Sequence, residues 1–300
     1  MMRTIYLGHN PRYAAVCREE SDLSAVFWHD CSGGMAQRAE AMFEYCRQNK
    51  VVAIHHARLD GLMKKIMTAC EPDLIVIGEY HFLLKQDVID IARMATINMH
   101  GSPLPLYRGA HPINWMIING EKEGAVTCHY VTEGLDSGDI IGQYTFPINL
   151  HETAYDVRPK IEKTGARLLR DVLKRFKAEG MIKGIPQDTG KASYFPPRRP
   201  EDGVVNWNTP AVNIYNFIRA LTKPYPGAFS FIDNRKVRIW RAEYPSADDI
   251  ISHNLLTPGT VINRENGCLA VAAGDGHQVI ITEWDSGDAV INEGKCFEVR

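Results

Sequence analysis

Asp73-Leu-Ile-Val-Ile-Gly78 is an apolar run with no polar interruption between its aspartate and its glycine. A strand of that kind is covered on both faces, the situation of a parallel sheet flanked by helices. The chain before it supplies the rest of the pattern. Arg3-Thr-Ile-Tyr-Leu7, Leu23-Ser-Ala-Val-Phe-Trp28 and Val51-Val-Ala-Ile54 read as strands. Met35 to Arg47 and Asp60 to Cys70 read as helices, the second stopping before Pro72. Strands alternating with helices imply right-handed βαβ units, hence an α/β, Rossmann-like and mostly parallel sheet.

Ala95-Thr-Ile-Asn98-Met-His100 is a further buried strand that ends in polar residues, and Gly-Ser-Pro-Leu-Pro-Leu-Tyr-Arg-Gly follows it as a loop forced by glycine and proline. A period of two places Asn98 and His100 on one face. An amide donor and a titratable imidazole thus stand at a strand's carboxyl end, where open α/β sheets gather their ligands. Gly124 to Val131 is strand-like, and so is Ile140 to Phe146. Between them lies Thr-Glu-Gly-Leu-Asp136-Ser-Gly-Asp139, an acidic turn able to hold a carboxylate beside the histidine.

Several function classes lose support. The chain has neither G-x-G-x-x-G nor a Walker loop, the main signatures of dinucleotide and ATP chemistry. A net charge of −2 argues against a broad footprint for nucleic acid. The seven cysteines form no CxxC pair and read as reduced thiols of a cytoplasmic protein. No apolar run approaches the ~20 residues of a membrane span, and the N-terminus lacks a signal pattern. His55-His56 are adjacent, with no partner at a ligand spacing, so no metal site is expected. His129, mid-strand, reads as structural.

Asn98-x-His100-x-Ser102-x-Leu-Pro-x-Tyr-Arg108-Gly109, followed by Leu-Asp136-Ser-Gly-Asp, resembles the formyltetrahydrofolate-dependent formyltransferases. That group includes glycinamide ribonucleotide, methionyl-tRNA and nucleotide-sugar formyltransferases. The resemblance implies a catalytic Asn98, His100 and Asp136, with 10-formyltetrahydrofolate as co-substrate and no metal. It further implies that Phe82, Leu83 and Leu84 line the folate pocket, with Glu133, Leu135 and Asp139 on the turn opposite. Ser102, Arg108, Gly109 and His111 would shape the acceptor side, and Lys223 and Tyr225 (or Arg219) would meet a nucleotide. The family analogy admits a homodimer. One departure is Pro103, where the family usually has leucine; it stiffens the loop and leaves the triad intact.

Glu152 to Glu179 is a long amphipathic helix with Ile161, Leu168, Leu169, Val172 and Phe176 on one face. Gly184 to Pro200 gathers glycine, proline and charge and reads as a boundary. The resulting division is a catalytic domain over 1–183, a linker over 184–203 and a smaller β-rich, OB-like domain over 204–300. In the last, Pro210 to Leu221 is a helix, Ala228 to Trp240 a hairpin about Asp233-Asn234, and short strands follow Gly259 and Gly276, as in a partly open barrel. The helix with Pro-x-Pro-Gly-Ala-Phe229 also resembles the C-terminal domain of methionyl-tRNA and aminoarabinose-type sugar formyltransferases.

Three features favour a nucleotide-linked amino sugar as acceptor, as in enzymes of surface polysaccharide synthesis. The loop reads His100-Gly101-Ser102, as in the sugar enzymes, where the other branches usually have proline after the histidine. His29 to Met35 contains no Lys or Arg, where tRNA enzymes carry a basic loop. A glycinamide ribonucleotide enzyme would not need the C-terminal domain. Methionyl-tRNA is the alternative acceptor.

Overall fold

The computed structural model describes residues 1–30, 36–246, 256–265 and 267–298. The chain divides into two compact units, the first made of Met1–Pro112, Glu123–Phe146 and Pro159–Phe195, the second of Ile113–Lys122, Pro147–Arg158 and Pro196–Arg300.

The first unit runs β1 (Arg3–Gly8), α1 (Pro11–Glu20), β2 (Asp22–Trp28), α2 (Ala36–Asn49), β3 (Ala53–His55), α3 (Gly61–Ala69), β4 (Leu74–Gly78), α4 (Gln86–Ile89), β5 (Ala95–His100), β6 (Arg108–Gly109), β7 (Glu123–Tyr130) and, apart from its last residue, β8 (Ile140–Pro147). The sheet has seven strands in the order β3-β2-β1-β4-β5-β7-β8. Strands β1 to β5 pair parallel, and β7 pairs antiparallel with β5. The mostly parallel α/β expectation therefore holds. All of β4 is buried, as its unbroken apolar sequence requires. Ile5, Leu7, Phe27, Ile75 and Ile77 form one side's core with Met67 of α3 and Val88 of α4.

The pattern reading does not anticipate α1, although its start signal is local. Asn10 caps it, its side chain accepting from the Arg12 and Tyr13 N–H groups, and Pro11 sits in the first turn where no N–H is required. Asp60 caps α3 in the same way.

The second unit contains α5 (Pro112–Ile118) apart from its first residue, the start of α6 (Ala154–Glu179), α7 (Ala211–Leu221), β10 (Ala228–Ile232), β11 (Arg235–Ala242), β12 (Val261–Glu265), β13 (Cys268–Ala272) and β14 (Gln278–Asp285). From Pro159 onward α6 belongs to the first unit. Strand order in the antiparallel sheet is β10-β11-β14-β13-β12, with β10 and β12 at its edges. The hairpin turns at Asp233-Asn234 as its sequence indicates, both residues having positive φ. The segment 295–298 lies between the two edges. Val261 N–H donates to Lys295 O and Phe297 N–H to Gly259 O, both at 2.8 Å, while Glu298 N–H donates to Phe231 O at 2.8 Å. Phe297 stacks on the buried Trp207 at 5.1 Å between centroids. A short irregular strip thus bonds to both ends of the antiparallel sheet's strand order. Asp275 caps α7, its two carboxylate oxygens accepting from Ala211 N–H at 3.2 Å.

Candidate active site

Strand β5 is the positioning element. Its register sets Asn98 opposite Ile77 of β4 on one side and His129 of β7 on the other, with His100 opposite Thr127. After His100 the chain turns through a loop closed by its own polar groups. Ser102 Oγ donates to Leu106 O at 2.9 Å, and Thr127 Oγ1 donates to Ser102 O at 2.6 Å. The loop ends at β6, which pairs parallel with β9 (Tyr194–Phe195). Gly109 has φ 100°, and a Cβ there would meet Phe195 O at 2.4 Å, so both its backbone conformation and its neighbour require glycine.

Asp136 is brought to this place by the turn between β7 and β8. Its side chain is 10% exposed. Each carboxylate oxygen has one hydrogen-bond donor and one imidazole. Oδ1 accepts from Asn98 Nδ2 at 3.3 Å and lies 3.6 Å from His129 Nε2. Oδ2 accepts from Gly109 N–H at 2.9 Å and lies 3.7 Å from His100 Nδ1. Burial alone would push the Asp136 carboxyl up. The positive field of His100 and the bond from the Gly109 N–H outweigh it and hold the group well below the usual carboxylate range.

The partners also assign the imidazole hydrogens. His100 Nε2–H donates to Tyr107 O at 2.9 Å, leaving Nδ1 toward Asp136. His129 Nδ1–H donates to Tyr130 O at 2.8 Å, so its Nε2 lone pair accepts from Asn98 Nδ2 at 3.2 Å. Asn98 therefore divides its two hydrogens between Asp136 and His129. The arrangement joins an amide donor, two imidazoles and an ionised carboxylate. It can polarise a carbonyl oxygen and move a proton.

His129 read as structural in the sequence; the antiparallel pairing with β5 turns it onto the Asn98 face and beside Asp136. A second unforeseen residue is Gln187, within the expected linker 184–203. Its Nε2 donates to Asp136 O at 2.9 Å and Gly138 O at 2.7 Å, and its Oε1 accepts from Arg108 Nε at 3.1 Å and Nη2 at 2.7 Å.

The other expected site residues are placed less uniformly. Ser102 is fully buried and its hydroxyl is engaged within the loop. Arg108 is 2% exposed, its guanidinium committed to Gln187 and to the Tyr194 hydroxyl. His111 is exposed with φ 54°. Leu84 belongs to the hydrophobic core, whereas Leu83 is 72% exposed. Phe82 packs among His29, His56 and Tyr80. Glu133, Leu135 and Asp139 are exposed on the turn, Glu133 Oε1 accepting from Gln86 N–H at 3.3 Å. Lys223 and Tyr225 lie in the second unit, where Lys223 pairs with Glu283 at 2.6 Å and Tyr225 accepts from Arg158 at 3.4 Å. Arg219, in the same unit, donates to Asn216 Oδ1 at 2.9 Å and to Glu152 O at 2.5 Å. Of the loop 29–35, only His29 and Asp30 lie within the described residues, and so the absence of a basic loop stays a sequence reading. Among the described residues no cluster of three or more His, Cys, Asp or Glu is arranged for a metal ion, and no helix is long and apolar enough to cross a membrane.

Comparison with known proteins follows the two units. The formyl transferase family model matches residues 30–173, and the formyl transferase C-terminal domain model matches 198–291. Among solved structures, the N-formyltransferase from Helicobacter canadensis in complex with folinic acid and dTDP-3-aminofucose is 20% identical, with a TM-score of 0.70 over 94% of this chain and 99% of that one. WlaRD, a sugar 3N-formyl transferase, is 19% identical with a TM-score of 0.69 over 97% and 99%. HypX from Aquifex aeolicus in complex with tetrahydrofolic acid is 19% identical, with a TM-score of 0.62 over 96% of this chain. The chain spans only 44% of that HypX structure's length. These likenesses show a shared fold. With both family models matched in order along one chain, this protein belongs to the formyl transferase family.

Proposed function

We propose that the chain is an N-formyltransferase that moves the formyl group of 10-formyltetrahydrofolate to the amine of a nucleotide-linked amino sugar. The observation that carries this is the convergence of Asn98 and His100 on the carboxylate of Asp136 at the end of β5. An amide, an imidazole and an ionised carboxylate suit acyl transfer. The folate supplies the one-carbon unit at the oxidation level of formate. The folate complexes of HypX and of the Helicobacter canadensis protein support that donor, and dTDP-3-aminofucose in the latter supports the acceptor class.

In this reading the sugar amine attacks the formyl carbon, a new C–N bond forms, and the bond to the folate nitrogen breaks. Asn98 Nδ2 donates to the formyl oxygen as charge develops there, releasing His129 Nε2 to make that bond. A fixed donor of this kind contributes roughly 10²–10³-fold to turnover. Asp136 keeps His100 oriented and, through a water, carries the amine proton to the departing nitrogen. We assign the chemistry to a catalytic domain over 1–183, followed by a linker over 184–203 and a C-terminal domain over 204–300.

The test is a screen of folate release against dTDP- and UDP-linked amino sugars, with charged initiator tRNA in parallel. Formylation of an amino sugar alone is expected. Preferential formylation of the tRNA would reassign the acceptor, and no transfer to any amine would overturn the reading.

A further inference from the structure

Asp136 stands at φ 48°, a left-handed conformation that costs a residue with a side chain on the order of 1 kcal/mol. Something has to hold the turn there, and the Asp136 carboxylate does not do so with its own backbone. The carbonyls of Asp136 and Gly138 both point at one side-chain amide, that of Gln187. Two residues before Gln187, Ile185 exchanges both backbone hydrogen bonds with Ile140, at 2.9 and 2.8 Å. The amide is thereby anchored to the start of β8, directly behind the turn it grips.

The amide's own orientation is also determined. Arg108 is buried, and its Nε and Nη2 both donate to Gln187 Oε1. Rotating the amide by half a turn would aim its NH2 group at a guanidinium, donor against donor. Arg108 carries no acceptor and stays charged. The rotated state would also leave two carbonyls without donors. The fork of Arg108 therefore locks Gln187 into the one orientation in which both of its hydrogens reach the turn.

We propose that Gln187, locked by Arg108, is a positioning residue that sets the backbone of Asp136 and through it the aim of the carboxylate at His100 and Asn98. The role rests on the formyl-transfer reading above only for its consequence on rate; the geometry itself is independent of the reaction. The groups facing the carboxylate are His100 and Asn98 from β5, His129 from β7 and the Gly109 N–H from β6. His100 and the Gly109 N–H keep Asp136 ionised, and a carboxylate released from them would titrate nearer the ordinary range.

The test compares wild type with Gln187→Met, similar in length and uncharged, by two readouts. For turnover, kcat is expected to fall about 10–100-fold with both KM values unchanged, because a misaimed group affects the reacting geometry more than binding. For the carboxyl itself, ¹³C NMR of labelled aspartate follows the Asp136 resonance, identified by its loss in Asp136→Asn. Its midpoint is expected to move up in Gln187→Met. Gln187→Glu keeps an acceptor for Arg108 but has no donor for the two carbonyls. It should fold as wild type does and still lose kcat. An Asp136 midpoint that stays in place in folded Gln187→Met, or wild-type kcat in Gln187→Glu, overturns the proposal. If wild type transfers no formyl group at all, the proposed function fails while the NMR comparison still decides the role of Gln187.

Discussion

Two groups of histidines occupy the carboxyl end of the first unit's sheet, and they are built on opposite principles. His100 and His129 flank the carboxylate of Asp136. His9, His29, His56 and His81 instead pack against one another and against Tyr80 and Phe82, with the His9 and His29 rings 4.4 Å apart. Glu79, the carboxylate nearest in effect to His81, is already paired with Arg38. Burial is therefore decisive in the second group and pushes His29 and His81 down. It lowers His56 to about 4, with His29 and His55 adding repulsion. Imidazoles around a carboxylate make a polar centre that holds charge. In His29, His56 and His81 burial outweighs the nearby carboxylates and favours the neutral ring.

The sharpest way to break this contrast is to neutralise the carboxylate. Asp136→Asn is expected to lower kcat by roughly 10³-fold with the fold retained by circular dichroism. Near-native turnover would mean that the two groups differ in packing alone. A Cβ at Gly109 acts on the same group through its N–H donor. Gly109→Ala forces a side chain to φ 100° and against Phe195 O, so a loss of about 1–3 kcal/mol in stability is expected together with reduced kcat, read by thermal melts and folate release.

The smallest effect concerns the neutral group and is a matter of pH. His56 has a folded value of about 4 against an unfolded value near ~6.5, so between the two the unfolded chain binds more protons. Stability should fall as pH drops through that window, by on the order of 1–2 kcal/mol for His56, and be flat above it. His56→Gln keeps a partner for Tyr80 and should flatten the slope in denaturant titrations. Asp136 contributes to a different window. Its folded value is depressed, so its stabilisation is present above the ordinary carboxylate range and is lost only as pH falls below it. A single transition shared by both groups would contradict the division drawn between them.

What could be read from sequence was local or periodic. The strand Ala95–His100, its proline-rich loop and the acidic turn announce themselves within a few residues, and the side-chain period of β5 already pairs Asn98 with His100. His129 and Gln187 escape because their meaning depends on partners that local patterns do not reveal. The antiparallel placing of β7 beside β5 turns His129 inward, and the Ile140–Ile185 bridge returns residue 187 to the turn. The missed helix α1 is a different case, since Asn10-Pro11 is a start signal that could have been used. Phe82 to Leu84 differ in surroundings that a run of three apolar residues does not disclose, Leu84 lying in the core and Leu83 being exposed.

The strip 295–298 has a bearing on how the molecule behaves in a crowded cell. Four residues occupy the gap between β10 and β12, Glu298 N–H bonding Phe231 O on the β10 side. Any change that loosens them would bare two unfinished strand borders at once, each able to template a neighbouring copy. Harm from such a change should surface first as self-association on storage or heating, before any loss of chemistry in the other unit is measurable.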